Sequence, residues 1–139
     1  MTDPENDRIS ASFGAQSMMA TLGATLEEVG HGRVVIRAPI LPGSQQQQGF
    51  GHAGLTFSIG DSAAGYAALT TMPPEQEVVT AEIKINLLAP ARGDYLRATG
   101  RVIKPGRRLV VVSSEVHAVT GDDAVLIAVL QGTMVPVLA

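Results

Sequence analysis

A chain of 139 residues with 45% apolar content can bury one sizeable core, and it is read as a single domain over residues 1–139 with a flexible tail at 1–9. A net charge of −3, with 3 Phe, 2 Tyr and no Trp, excludes the electropositive, stacking surface that nucleic acids require. The absence of Cys excludes disulfides, thiolate metal sites and a Cys nucleophile.

The acidic start, Met1 to Asp7, lacks the apolar stretch of a signal peptide. No window approaches about 18 consecutive apolar residues. No membrane partner and a cytoplasmic location are therefore expected. Charged residues make up 17%, below the roughly 25% of an average soluble domain, so part of the surface is expected to be covered by copies of the chain.

From about Ser10 to Leu22 a weak helical pattern runs through Phe13, Met18, Met19 and Leu22 and ends at Gly23, predicting a short leading helix. From Leu26 to Ile40 the chain turns β-like, with Val34, Val35 and Ile36 after a Gly-His-Gly turn and Pro39 and Pro42 as stops; this is strand one. After the run Gln45 to Gln48, the segment Gly49 to Gly54 opens an apolar stretch that continues to about Thr71, where Pro73 and Pro74 must end it. Its alanines, with Leu55, Ile59 and Leu69, favour one long helix.

Four β-rich segments follow, about Glu77 to Leu88, Asp94 to Lys104, Arg108 to Val119 and Ala124 to Val137. Turn residues at Pro90 to Gly93, Pro105-Gly106 and Gly121 to Asp123 predict consecutive antiparallel hairpins. A helix apolar on nearly every face must be buried on nearly every side. The expected class is α+β, a curved antiparallel sheet of about five strands wrapped around one long central helix.

Between Arg37 and Glu75 there is one formal charge, Asp61, in 37 residues where a 17% average would place about six. Burying an ionised carboxylate without a partner costs several kcal/mol, so its place in an apolar helix needs a reason. Helical spacing puts Gly54, Ser58, Gly65 and Ala68 within about 60° of it, a nearly bare face with room for a small molecule. The bland alternative is a local bond from Asp61 to a neighbouring backbone group.

Gly49 to Gly54 form the turn into that helix, where unpaired N–H groups and the dipole favour negative charge. The Ala53 and Gly54 amides are candidate donors to an oxyanion growing on a substrate carbonyl. His52 either orients this loop or acts as a base. His31, in a turn, and His117, in a strand, have no partner at ligand spacing, so no metal is expected.

The run Gln46-x-x-Gly49-x-x-His52-Ala53-Gly54, with Asp61 nine positions after the His, resembles the hotdog-fold thioesterases of the PaaI-like type and their 4-hydroxybenzoyl-CoA relatives. The segment Val79 to Pro90 resembles their next strand, and the likeness spans roughly Gly30 to Val137. The resemblance implies hydrolysis of an acyl-CoA, with coenzyme A present as part of the substrate and no other cofactor. It implies that Asp61 attacks the thioester or activates water, that the Ala53 amide polarises the carbonyl, and that Gln46 holds the water or acyl group. Thr80 matches a hydroxyl position used by some members.

In that family the loop and the carboxylate come from opposite subunits, so a homodimer, joined into a dimer of dimers, is implied. Many members have Asn where Gln46 stands, and a Gly-Gly pair where this chain has Ala53-Gly54. Identical neighbours leave open which Gln of the run acts, with Gln48 as a second candidate. Phe50, Ser58 and Gly65 are candidate acyl contacts.

Lys104, Arg107 and Arg108, extended by Arg97 and Arg101, are candidate coenzyme A phosphate contacts, or else a solvated hairpin tip. The bare helix face and Phe50 point to an aromatic or medium-chain acyl group. Competing readings are a non-catalytic acyl- or aromatic-ligand-binding module, a hotdog dehydratase or hydratase using His52 with Asp61, and a purely structural oligomer.

Overall fold

A computed structural model describes residues 3–138. Helix α1 spans Pro4–Ala15 and α2 spans Ser17–Thr21. Asp3 caps α1, its carboxylate accepting the Asn6 N–H at 2.7 Å, while Pro4 and the acidic first turn suit a helix start. The leading helix thus begins six residues before Ser10, and from Pro4 onward the segment expected to be a tail is helical; Met1 and Thr2 lie outside the described residues. At Gln16 the backbone becomes extended and splits the expected single helix in two, and Gly23, at φ 69°, closes the second.

The region expected as one strand is a hairpin, β1 Thr25–Gly30 and β2 Arg33–Ala38. With Glu27 and Glu28 exposed, β1 lacks the buried alternation that would announce a strand, whereas β2 is almost wholly buried. Helix α3, Ala53–Leu69, follows as expected, with eleven buried residues around its circumference.

Strands β3 Gln76–Leu87, β4 Tyr95–Lys104, β5 Val110–Thr120 and β6 Asp123–Leu138 complete a six-stranded antiparallel sheet in the order β1-β2-β4-β5-β6-β3. Hairpins join β4 to β5 and β5 to β6 as expected, but β3 does not pair with β4. It runs along β6 at the far edge. The link from Leu88 to Asp94, with Pro90 inside it, is longer than a tight hairpin loop, and the exposed residues of β3 suit an edge.

The sheet lies close on α3 because its central strands present small residues. A Cβ on Gly100 of β4 would fall 2.2 Å from the Ala63 carbonyl carbon. The N-terminal helices cover the other side of α3, with Ile9 fully buried and Phe13 tilted against Tyr66 at 6.2 Å.

Arg8 ties α1 down. Its guanidinium donates to the carbonyls of Leu69 (3.3 Å), Met72 (3.0 Å), Pro73 (3.0 Å) and Gln76, satisfying oxygens that the end of α3 and its exit loop leave open. Charge-assisted bonds of this kind contribute about 1.5–3 kcal/mol each, so Arg8→Met, which keeps the aliphatic stem, is expected to cost about 3 kcal/mol in urea unfolding. A loss below about 0.5 kcal/mol would show that the Arg8 bonds do not persist in solution.

Candidate active site

Asp61 sits mid-way along α3, half-buried. From β3, the Thr80 hydroxyl donates to its Oδ1 at 2.8 Å and also lies 3.2 Å from the Met134 sulfur. Burial raises the Asp61 pKa above the ordinary carboxylate value, and the Thr80 bond partly opposes that rise by favouring the ionised form. The carboxylate opens into a cleft of about 160 Å³, whose lining includes Gly65, Val78 and Met134. That volume is close to a cavity of about 150 Å³ known to hold benzene.

Thr80 therefore tunes the carboxylate directly. An Asp61 that must be ionised to act loses activity as pH falls through its raised pKa. Thr80→Val removes the lowering contact, so the acidic limb of the rate profile is expected to move to higher pH. Assays from about pH 5 to 8 check this, and an unmoved limb would separate Thr80 from the titrating group.

The bare helix face holds only in part. Gly65 lines the Asp61 cleft, but Ser58 does not, and Ala68 is fully buried, because the elements packed on this end of α3 cover a position that an isolated helix would expose.

The loop before α3 forms a second cleft of about 370 Å³, lined by Gln46, Gln48, Phe50, His52, Ala53 and Leu87 among others. Gln46 folds onto its own loop, its Oε1 accepting from the N–H groups of Gln48 and Phe50 (3.4 Å) and its Nε2 lying 3.3 Å from Gln48 Oε1. His52 caps α3, its Nδ1 accepting the Gly54 N–H at 2.7 Å. Gly54 is therefore not a free oxyanion donor, since the imidazole already holds that hydrogen. Among the described residues the Ala53 N–H meets no acceptor, so of the two expected donors it is the one that remains open.

Ala53 and Asp61 are about 12 Å apart along the helix axis, at 1.5 Å per residue, and they line different clefts. One thioester cannot touch both within one chain. Arg107 lines a third hollow with Pro105 and Met72, while Lys104 and Arg108 are exposed on the same hairpin. None of the three lines the Asp61 or loop cleft. Arg97 and Arg101 alternate with the inward-facing Leu96, Ala98 and Gly100, so they point away from α3. His31 is exposed in the β1–β2 turn, and His117 is half-buried on β5. Among the described residues no group of three or more His, Cys, Asp or Glu is placed to hold a metal ion.

Ser12, Gln16, Ser62, Tyr66 and Glu77 also line the Asp61 cleft and were not singled out from the sequence. Ser12 and Gln16 reach it only through the docking of α1, which no local pattern announces.

The family description of the thioesterase superfamily matches residues 48–125. A thioesterase family protein of Silicibacter pomeroyi is 36% identical, with 97% of this chain and 99% of that one covered at a TM-score of 0.94. The chain belongs to the thioesterase superfamily, and its fold is the hotdog fold. The PaaI protein of the Escherichia coli phenylacetic acid degradation operon shares the fold at 21% identity, with a TM-score of 0.85 over 96% of this chain and 93% of that one.

A 1,4-dihydroxy-2-naphthoyl-CoA hydrolase of Listeria monocytogenes is 26% identical over 90 residues, which is 65% of this chain and 73% of that protein. The chain spans roughly half the length of the esterases of Saccharolobus solfataricus and Pseudomonas aeruginosa that it matches. Among the described residues no helix is long and apolar enough to cross a membrane.

Proposed function

We propose that the chain is an acyl-CoA thioesterase acting on an aromatic or medium-chain acyl group, with Asp61 as the reacting carboxylate. The observation that carries this reading is the placement of Asp61. It is the one formal charge between Arg37 and Glu75, half-buried at a cleft of about one ring's volume and held by Thr80.

Two routes use the same geometry. As a nucleophile, Asp61 adds to the thioester carbonyl and expels the coenzyme A thiolate, and water then hydrolyses the mixed anhydride. As a general base, it takes a proton from water whose oxygen attacks the carbonyl, and it returns that proton to the departing sulfur. In both, thioester and water become acid and thiol. An oxyanion forms on the carbonyl, and the open Ala53 amide at the start of α3 suits it.

Because Ala53 and Asp61 cannot reach one thioester within a chain, the reading requires a homodimer in which the loop cleft of one subunit meets the Asp61 cleft of the other. Edge strand β3 suits that pairing, with Val79 and Leu87 about half exposed on an unpaired edge. The reading includes a dimer of dimers, in which a further face of each sheet is covered. Lys104, Arg107 and Arg108, on an exposed hairpin, are the coenzyme A phosphate contacts of this reading.

A ligand-binding module is the second reading. The observation that favours it is the cleft of about 160 Å³ itself, in which Thr80 fixes the Asp61 carboxylate as a polar anchor beside Val78 and Met134. The dehydratase reading loses support because His52 Nδ1 is committed to Gly54. Thiol release from acyl-CoAs, acetyl through long-chain to phenylacetyl and hydroxybenzoyl, decides between the first two. Turnover establishes the enzyme, and a folded, oligomeric protein inert on the whole panel would leave the binding module.

A further inference from the structure

The charges of the chain are sorted in space. Arg33 and Arg37 of β2 stand directly opposite Arg101 and Arg97 of β4, and strand alternation turns all four away from α3. Like charges directly opposite one another destabilise a sheet, so two such pairs on the same two strands are a cost that an anionic partner would remove. Among the described residues only Arg33 of the four has an ion pair, with Glu28 at 3.2 Å. Arg37 lies over the Tyr95 ring, 3.6 Å from its centre, and keeps its charge there.

Strand β4 carries the row on into the β4–β5 hairpin, where every residue from 103 to 109 is exposed and Lys104, Arg107 and Arg108 add three cations. Seven of the 10 Lys and Arg therefore share one strip, with two carboxylates, Glu28 and Glu115, on its flanks. That leaves three cations against eleven of the 13 Asp and Glu elsewhere. A net charge of −3 thus conceals a basic strip on an acidic body, an arrangement that turns this face toward a negative surface. From Arg97 to Lys104 the strip is about 24 Å long, at roughly 3.4 Å per residue.

Ile103 and Leu109 bracket the hairpin cations and are 54% and 57% exposed. Aliphatic side chains offer nothing to a phosphate, and a single-stranded nucleic acid needs a free ring to stack on, whereas the Tyr95 ring is already covered by Arg37. An anionic bilayer uses both kinds of group: its headgroups take the cations and its acyl boundary takes the aliphatics.

We infer that the outer face of β2 and β4, with the β4–β5 hairpin, docks on an anionic lipid bilayer, Ile103 and Leu109 dipping into the interface while the arginines lie on the headgroups. Such contact needs no spanning helix, and it replaces the expectation of no membrane partner. Lys104, Arg107 and Arg108 meet phosphate oxygens here as in the coenzyme A role, but coenzyme A explains neither the Arg–Arg pairs nor the exposed aliphatics. The inference does not rest on the thioesterase reading.

The test is cosedimentation of the full chain with phosphatidylcholine vesicles containing about a third phosphatidylserine, and with pure phosphatidylcholine, at low and high salt. The anionic vesicles are expected to bind at least about tenfold more tightly, an advantage lost at about 0.5 M salt. Arg97→Gln with Arg101→Gln is expected to weaken that binding about 25-fold, each arginine contributing about fivefold. Its melting temperature should hold or rise, because both like-charge pairs are broken, whereas a misfolded variant would melt lower. Ile103→Ser with Leu109→Ser is expected to weaken binding severalfold.

Equal binding to both vesicle types, or wild-type binding in either double variant, overturns the inference. A wild type that ignores vesicles also overturns it. In that case binding of a mixed-sequence duplex assigns the strip to nucleic acid, and an oligomer that dissociates on Arg97→Gln with Arg101→Gln assigns it to a second copy of the chain.

Discussion

Asp61→Asn is expected to lower kcat/KM for acyl-CoA hydrolysis by several hundredfold or more, on the order of 3–4 kcal/mol of transition-state stabilisation. The amide keeps the shape of the side chain and its capacity to accept from Thr80 at 2.8 Å, but it can neither attack a carbonyl nor take a proton from water. The same variant carries a second signature of opposite sign. Burial raises the Asp61 pKa, so the ionised carboxylate is less stable in the folded chain than in the unfolded one.

Below the raised pKa the folded state holds a proton that the unfolded state has released, and stability therefore falls as pH rises through that window. The wild-type melting temperature should accordingly rise as pH drops from neutral toward the ordinary carboxylate range, a contribution that Asp61→Asn lacks. At neutral pH the variant is expected to be at least as stable as the wild type while losing turnover. Stopped thiol assays and thermal melts at two pH values read both effects. Activity within about threefold of wild type would move the chemistry away from Asp61.

Part of the candidate site is legible in the sequence because two features are local. Helix α3 announces itself by apolar residues on every face and by Pro73-Pro74 at its end, and the charge vacancy around it isolates Asp61. Thr80 came from the family resemblance, and its hydroxyl does lie on the carboxylate.

What escaped was non-local. Sequence alternation shows that β3 is a strand but not which neighbour it takes, and its pairing with β6 spans the whole later chain. The contacts of Gln16 with Tyr66 and Ser62 join residues about 50 positions apart through a helix that starts at Asp3-Pro4, ahead of its apolar pattern. The Gly54 amide failed as an oxyanion donor for a finer reason, because which N–H a capping imidazole takes depends on its rotamer.

Gly100→Ala on β4 is expected to cost more than about 3 kcal/mol in chemical unfolding. The added Cβ would fall 2.2 Å from the Ala63 carbonyl carbon, 2.3 Å from its oxygen and 2.4 Å from the Ala64 nitrogen. These are backbone atoms of α3, with no rotamer to give way, so relief requires lifting the helix off the sheet. Gly60→Ala provides an intermediate case, since its Cβ meets Leu130 Cδ1 at 2.9 Å, a side-chain end that can turn. Gly65→Ala is the control: it meets only Met134 atoms at 3.9 Å and removes a helical glycine, so it is expected to be neutral or to gain up to about 1 kcal/mol.

The order Gly100 far above Gly60, and Gly60 above Gly65, is the measurable claim; equal losses for Gly100→Ala and Gly65→Ala would refute close seating of the helix. The consequence reaches the chemistry, because Ala63 is two residues from Asp61 on the same helix. Any Gly100→Ala protein that remains folded has α3 displaced where the carboxylate meets Thr80. It is therefore expected to lose turnover beyond the fraction unfolded, whereas Gly60→Ala, whose clash a side chain absorbs, should lose stability with most of its activity retained.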